Sequence, residues 1–444
     1  MAERPEVDVD LPEGMDRALS FGLADAVFSR RSRRVGLGMD LPEGGLSHRS
    51  RFEPVPLSEA EEAFLVWLGT GTTGLALADL PPDGLSWMHG WNGRAWPCSC
   101  NAHSTELFYT NDDGLHLVRL REDGPVVDGA NLFAGKGPEG VREAVVDLFR
   151  ANRTTIEPGR ADLPEGEPGV LEFNAWNANK PGTSLFIPVT NTTIEYLTLL
   201  FIYFDEHNRF TVVDELTGSR CGLDRWVDSG RLGVVEMSLF DIELRVLTTL
   251  NVEGAFIAQN MSLALQALGL GGWAFTGFLP HHVLGVDPAH RGLGFEFVRP
   301  EATPRRLNTP APVGRKGVME GFCPPFVGDM SEAVDRFLAE REVRESGPMP
   351  YRHPDDVLAG RSTYSDETIE IVTTFAQYGL DTYGRVPAFL DPMFVRLVIQ
   401  AHHLDTEFYD EHYGEGAYGA THRDHFALWH PEYPDGPPRR RRSS

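Results

Sequence analysis

The sequence predicts an α+β fold, on three patterns: a capped amphipathic helix after Leu57, a strand pair over Glu106 to Leu120, and an apolar helix over Ala255 to Leu268. The 444 residues, 41% hydrophobic and 24% charged, suit a globular chain long enough to bury a substantial core. Length alone suggests two or three domains.

Residues 1–20 are polar and proline-rich and read as a flexible N-terminus. Asp-Leu-Pro-Glu-Gly recurs at Asp10, Asp40 and Asp162, at spacings too irregular for a repeat architecture, and reads as a turn segment. Ser58 and Glu61 form a capping box, and Ala63, Phe64, Trp67 and Leu68 supply the helix's apolar face. Gly69 to Gly74 matches G-x-G-x-x-G, but a helix precedes it where a dinucleotide site needs a strand, so it reads as a helix terminator with a turn. Glu106 to Leu120 alternates and turns at Asp112-Asp113-Gly114, as a hairpin does. Val141 to Arg150 reads as a helix, Asn191 to Phe204 as an apolar element that could be helix or strand, and Val234 to Leu247 as a strand running into a helix. Ala255 to Leu268 is apolar on nearly every face, with Gln259, Asn260, Ser262 and Gln266 interspersed; such a helix is buried in a core or at a subunit interface. Gly269 suits a left-handed cap to it.

After about Asp329 the pattern is helical with polar loops, an added region over 331–435. There Phe394, Leu397, Val398, Ala401, Leu404 and Phe408 recur at three- and four-residue spacing and predict one helix with an apolar stripe. Its other face would carry His403, Glu407 and Asp410, with His402 at the flank, and would border a substrate cavity. Arg439 to Arg442 sit in a Pro/Gly/Ser tail, 436–444, that reads as disordered.

The formal charge of −25 argues against nucleic acid as a partner. The longest apolar run, Leu197 to Phe204, is far shorter than the ~20 residues of a membrane helix. Met1 to Asp16 is acidic and lacks an apolar signal core, and four cysteines do not make a disulfide framework. A cytoplasmic protein with reduced thiols is expected.

Three segments carry candidate chemistry. Arg30-Arg31-Ser32-Arg33-Arg34 offers guanidinium forks and a hydroxyl that suit phosphate oxygens, or a solvated basic patch. Pro97 to His103 sets small and polar side chains directly before the strand-like Glu106-Leu107-Phe108-Tyr109, where a flat ligand could approach. Ala267 to Phe278 closes the apolar helix with a glycine cluster in which Gly277 would let a backbone N–H come close to a ligand. Read together and in order, these segments resemble the nitroreductase superfamily: R-R-S-x-R near the N-terminus, P-S-S-x-N-x-Q-P-W before a strand, and a buried Q-N-x-x-L-A-A-x-A-L-G-L helix that ends before E-G-F. The ending of the second segment is also similar to the P-x-E-L-Y of azoline dehydrogenases that act on peptides.

The resemblance implies a flavin domain over 21–330, with insertions, built on a mixed, mostly antiparallel sheet flanked by helices. It implies that Arg30, Arg31, Ser32 and Arg34 bind the phosphate, ribityl chain and pyrimidine edge of FMN. Cys98, Ser99 and Asn101 would line the flavin from the second subunit of a homodimer, and the Gly277 N–H would face flavin N5. Arg315 and Lys316 are candidates for the C-terminal phosphate cation. The chain departs from the pattern at Cys98, at His103 and at Thr276, which stands where the family has an acidic residue beside Gly277 and is a poor acid. The family's mid-chain Asn and Lys ligands have no counterpart that the motifs place. The implied activity is hydride transfer through FMN between a reductant such as NAD(P)H and a small acceptor. The alternatives are an azoline-type dehydrogenase in peptide modification, a flavin-binding protein without turnover, and a metal enzyme using the C-terminal histidines. Cys98 and Cys100 read either as a redox pair or as small residues packed beside the ring. With no H-E-x-x-H or paired C-x-x-C, no metal is expected at His402, His403, His412, His422, His425 and His430.

Overall fold

The computed structural model describes residues 11–75, 92–98, 102–120, 137–300, 309–345, 352–353, 355–356 and 364–441. Its centre is a seven-stranded sheet in which β1 (Thr105–Thr110), β2 (Gly114–Val118), β3 (Arg153–Pro158), β4 (Ser184–Asn191), β5 (Gly271–Phe275), β6 (Met393–Phe394) and β7 (Val398–His402) take the order β5-β7-β4-β1-β2-β3, with β6 beside the end of β4. Every pairing in it is antiparallel. The parallel component of the expected mixed sheet is a separate pair, Phe210–Val213 with Val235–Ser238. The chain is thus α+β, and β1 and β2 form the hairpin that the alternation over 106–120 predicts.

Strands β1, β2 and β4 are buried along their whole length, because helices cover the sheet. The helices that matter for the site are α1 (Gly14–Leu19), α2 (Leu23–Ser29), α3 (Glu59–Thr70), α4 (Thr192–Phe204), α5 (Leu239–Leu268), α6 (Asp366–Tyr383), α7 (Thr406–His412) and α8 (His425–Trp429). The Ser58–Glu61 capping box starts α3, with both reciprocal bonds formed. Asn191 closes β4 and caps α4 in one step by accepting the Thr193 N–H at 3.2 Å. Helix α4 is buried on nearly every face, so the apolar pattern of 191–204 carries no helical period.

At 30 residues, or about 45 Å, α5 spans two cores. Its first half packs with α4 and α6 through Ile242, Val246 and Leu250. Its second half packs with α3 and the sheet through Ile257, Met261 and Leu265. Gly269 ends it with φ 83°, as expected. The helix is not apolar-buried on all sides within one chain, however: Phe240, Leu244 and Phe256 are exposed along it, as are Leu23, Val27 and Phe28 of α2.

Three expectations are corrected. Residues 394–408 are not one helix: β6, β7 and α7 share them, and β7 lies inside the sheet between β5 and β4. The last hundred residues are therefore no separate helical extension. Residues 1–20 are not uniformly loose, since α1 packs Met15 into the core at 0% exposure. The basic tail is docked as far as Arg440: its N–H bonds the Arg51 carbonyl at 2.8 Å, and its guanidinium reaches Asp40 at 2.9 Å. Opposite charge in an acidic chain draws it in.

Candidate functional site

The backbone from Arg33 to Gly36 runs along the β5 edge of the sheet, with Arg33 and Gly272 exchanging bonds of 3.2 and 2.8 Å. Extended backbone sends successive side chains to opposite sides. Arg33 therefore points inward at 3% exposure, bonding Gln266 Oε1 at 2.6 Å and the Ala417 carbonyl at 2.8 Å. Burial lowers its pKa to about 10, and its role is structural. Arg34 points the other way. Together with Arg31, Ser32, Trp176 and Tyr409 it lines a cavity of about 420 Å³.

Arg34 is the centre of this arrangement. One terminal nitrogen donates to Asn174 Oδ1 at 2.7 Å and to the Phe173 carbonyl at 3.1 Å. Its guanidinium carbon lies 5.3 Å from the Trp176 ring and 5.1 Å from the Trp273 ring. Its Nε–H is buried and meets no acceptor among the described residues. Burial lowers the Arg34 pKa while Tyr409 opposes the shift. Gly277 lies on the other side of Asn174 and does not line the cavity. Its carbonyl accepts the Leu171 N–H at 3.1 Å, and a Cβ there would stand 2.5 Å from Asn174 Nδ2. Thr276 is exposed beside it. Asn174 and Trp176, which no motif singled out, thus sit between the two predicted segments. The signal was the run Phe-Asn-Ala-Trp-Asn within the 151–191 insertion, unreadable without the fold.

Other predicted residues lie apart. Arg30 and Arg31 are exposed, and Arg31 bonds the Phe28 and Arg30 carbonyls at 3.1 and 2.8 Å. Cys98 accepts the His103 N–H at 3.4 Å and packs beside the α4 and α6 core. Burial, then the Glu253 and Glu195 charges, push its thiol up, which opposes a redox-active thiolate. Glu253, next to Cys98, precedes Gln266, which holds Arg33, by thirteen residues of α5, or about 20 Å. Ser99, Cys100 and Asn101 lie outside the described residues. Arg315 does not join Arg30–Arg34 within the chain: it donates to Glu157 at 2.5 Å and to the Leu293 carbonyl at 2.8 Å, so its charge is spent on that ion pair. Lys316 is exposed at the neighbouring turn.

No protein-family model and no curated protein matches this chain. Among solved structures, a protein of Ralstonia eutropha JMP134 assigned as a nitroreductase is similar at 12% identity, covering 63% of this chain and 78% of its own, with a TM-score of 0.25. An enone reductase from gut-bacterial fatty acid saturation metabolism is similar at 14% identity, 61% and 84% coverage, and the same TM-score of 0.25. These values are too low to assign the chain to a family. Among the described residues, no helix is long and apolar enough to cross a membrane.

Proposed function

We propose that the chain is an FMN-dependent oxidoreductase that moves hydride between a reductant such as NAD(P)H and a small acceptor, and that it works as a homodimer. The observation that carries this reading is the cavity of about 420 Å³ lined by Arg31, Ser32 and Arg34, with the unpartnered buried Nε–H of Arg34 beside it. Its volume lies within the ~300–1,000 Å³ of small-molecule sites. A basic cavity with aromatic walls in a chain of net charge −25 selects an anionic, planar ligand.

The residues present fit the group at its polar end. Arg31 and Ser32 would hold the phosphate, and Arg34 would face the pyrimidine edge, where a fixed cation favours an electron-rich ring. Asn174, held by Arg34 and in reach of Gly277, would orient that edge. When bound, FMN would supply the two-electron chemistry at N5. Neither Thr276 nor Gly277 has a proton to give at neutral pH, so the chain's part is binding and orientation.

The homodimer is supported by the exposed apolar side chains of α2 and α5 and by the ~20 Å of helix between Cys98 and the arginines. If Pro97–His103 lines the same flavin, it does so from a second copy. Purified protein should be yellow, and NAD(P)H should bleach it without oxygen. Arg31→Ala with Arg34→Ala should purify folded but colourless, since each charge-assisted bond lost costs ~1.5–3 kcal/mol. A folded double variant with full flavin content would refute the assignment. A yellow protein that no nicotinamide bleaches would point to a dehydrogenase oxidising its own substrate.

A further inference from the structure

Four residues far apart in sequence meet inside the molecule on the side chain that starts α3. Glu61 is 0% exposed, and His403, His425 and His430 are 1%, 2% and 3% exposed. The capping box uses one oxygen of Glu61: Oε2 accepts the Ser58 N–H at 2.6 Å and the Ser58 hydroxyl at 2.9 Å. The other oxygen, Oε1, faces three imidazoles. His403 Nε2 stands 3.0 Å from it, His425 Nε2 2.7 Å and His430 Nε2 3.2 Å. His403 and His430 also bring their Nε2 atoms to 3.0 Å of each other.

The opposite ring nitrogens are already committed. His403 Nδ1–H donates to the Val55 carbonyl at 2.9 Å and His425 Nδ1–H to the Leu268 carbonyl at 2.8 Å. His430 Nδ1 meets Glu432 at 2.8 Å. A carbonyl can only accept, so in the neutral rings of His403 and His425 the proton is on Nδ1 and Nε2 presents a lone pair. Lone pairs then point into a buried space already faced by a carboxylate oxygen. His425 Nε2, although 2.7 Å from Oε1, lies outside hydrogen-bond geometry with it and has no other partner. Protonating all three rings would set three positive charges against the carboxylates of Glu61 and Glu432 and bury one of them uncompensated, at a cost of several kcal/mol. A divalent cation satisfies all four donors at once.

We propose that Glu61, His403, His425 and His430 bind a structural zinc ion. Three imidazole nitrogens and a carboxylate oxygen are a donor set for a borderline divalent metal, and four protein ligands with no open position make a closed, structural site. Tetrahedral bonds of ~2.05 Å place donor atoms about 3.3 Å apart. The four ligand atoms here lie within 4.8 Å of one another, and the close contacts of 2.7–3.2 Å would open by about 0.1–0.6 Å to reach that spacing. The Nδ1 bonds to Val55, Leu268 and Glu432 fix ring orientation, as bonds behind metal-ligating histidines do. The ion would tie the start of α3 to the end of β7 and to α8; none of its four ligands lines the proposed flavin cavity, and the site stands or falls independently of that reading.

A second trio, His48, Glu411 and His412, is partly exposed and serves as the control. Untagged full-length protein should carry about one zinc ion per chain by elemental analysis. Stripping with a chelator should lower the melting temperature and zinc should restore it. Cobalt(II) added to stripped protein should give the visible bands of a four-coordinate ion. His425→Ala should bind at least tenfold less zinc, while His412→Ala keeps it. Loss of zinc in His412→Ala with retention in His425→Ala would overturn the proposal. If His425→Ala does not fold, the stripped wild-type protein decides: failure to take up zinc or cobalt would refute the site.

Discussion

At the residue scale, the carboxyl group of Glu243 shows how burial sets a pH dependence. It stands on α5 and accepts the N–H groups of Ala388, Phe389 and Leu390 at 2.6, 2.7 and 3.0 Å. Burial pushes its pKa from 4.5 up to about 7, against the pull of those N–H groups and of Arg385. A carboxyl whose folded pKa is raised gives its full stability below the unfolded value and loses it as pH rises through the folded one. The window is therefore about pH 4.5 to 7, with a total on the order of 3 kcal/mol. Glu243→Gln removes the titration and turns an amide NH₂ toward a backbone donor, costing ~1–3 kcal/mol at pH 5. Urea midpoints should show the wild type losing ground to this variant between pH 5 and 8. A gap independent of pH would contradict the assignment. Glu61 is a second buried carboxylate whose surroundings decide its part: its place in the capping box is legible from Ser58 three residues earlier, but its three histidine neighbours come from more than 340 residues away. No local spacing announces such a cluster.

At the scale of the element, structure is legible where a period or a cap is written locally. The α3 box, the 106–120 hairpin and the Gly269 terminator are of this kind. Gly269 is held at φ 83°, and a Cβ there would stand 2.2 Å from the Thr421 carbonyl oxygen. Gly269→Ala should cost at least ~1–2 kcal/mol from the left-handed backbone alone, more with the backbone clash, and a lowered thermal midpoint checks it. Residues 394–408 are not of this kind. Phe394, Val398, Ala401 and Leu404 fall at helical spacing, yet Val398 and Ala401 belong to a strand buried on both faces. Such a strand need not alternate, and its apolar run is indistinguishable from a helical stripe. The candidate site divides in the same way. Ser32 and Arg34 could be read from their motif, whereas Asn174 reaches Arg34 only through the fold of an insertion.

At the scale of the whole molecule, the exposed apolar surface of α5 is the feature to test. Phe240, Leu244 and Phe256 are 50%, 46% and 43% exposed, and Phe28 of α2 is 79% exposed. Phe240 and Leu244 lie one turn apart on one face, and Phe256 lies about 20 Å further along on another, so a second copy would have to cover α5 from more than one side. Leu244→Glu with Phe256→Glu should yield a monomer in sedimentation velocity and leave the fold intact by circular dichroism, because both side chains face solvent in the single chain. If that monomer also loses its flavin, the two-chain site gains support; dimers that persist in the double variant would place the interface elsewhere.

The position of β7 bears on how the protein comes into being on the ribosome. Its neighbours, β4 and β5, are complete by residue 275, yet the strand that joins them spans Val398–His402. At ~5–20 residues per second, translation leaves two open sheet edges waiting roughly 6–25 s for their partner. During that interval the nascent polypeptide carries unpaired backbone that invites wrong neighbours, so its yield in a cell should depend on holding chaperones more than its final stability would suggest.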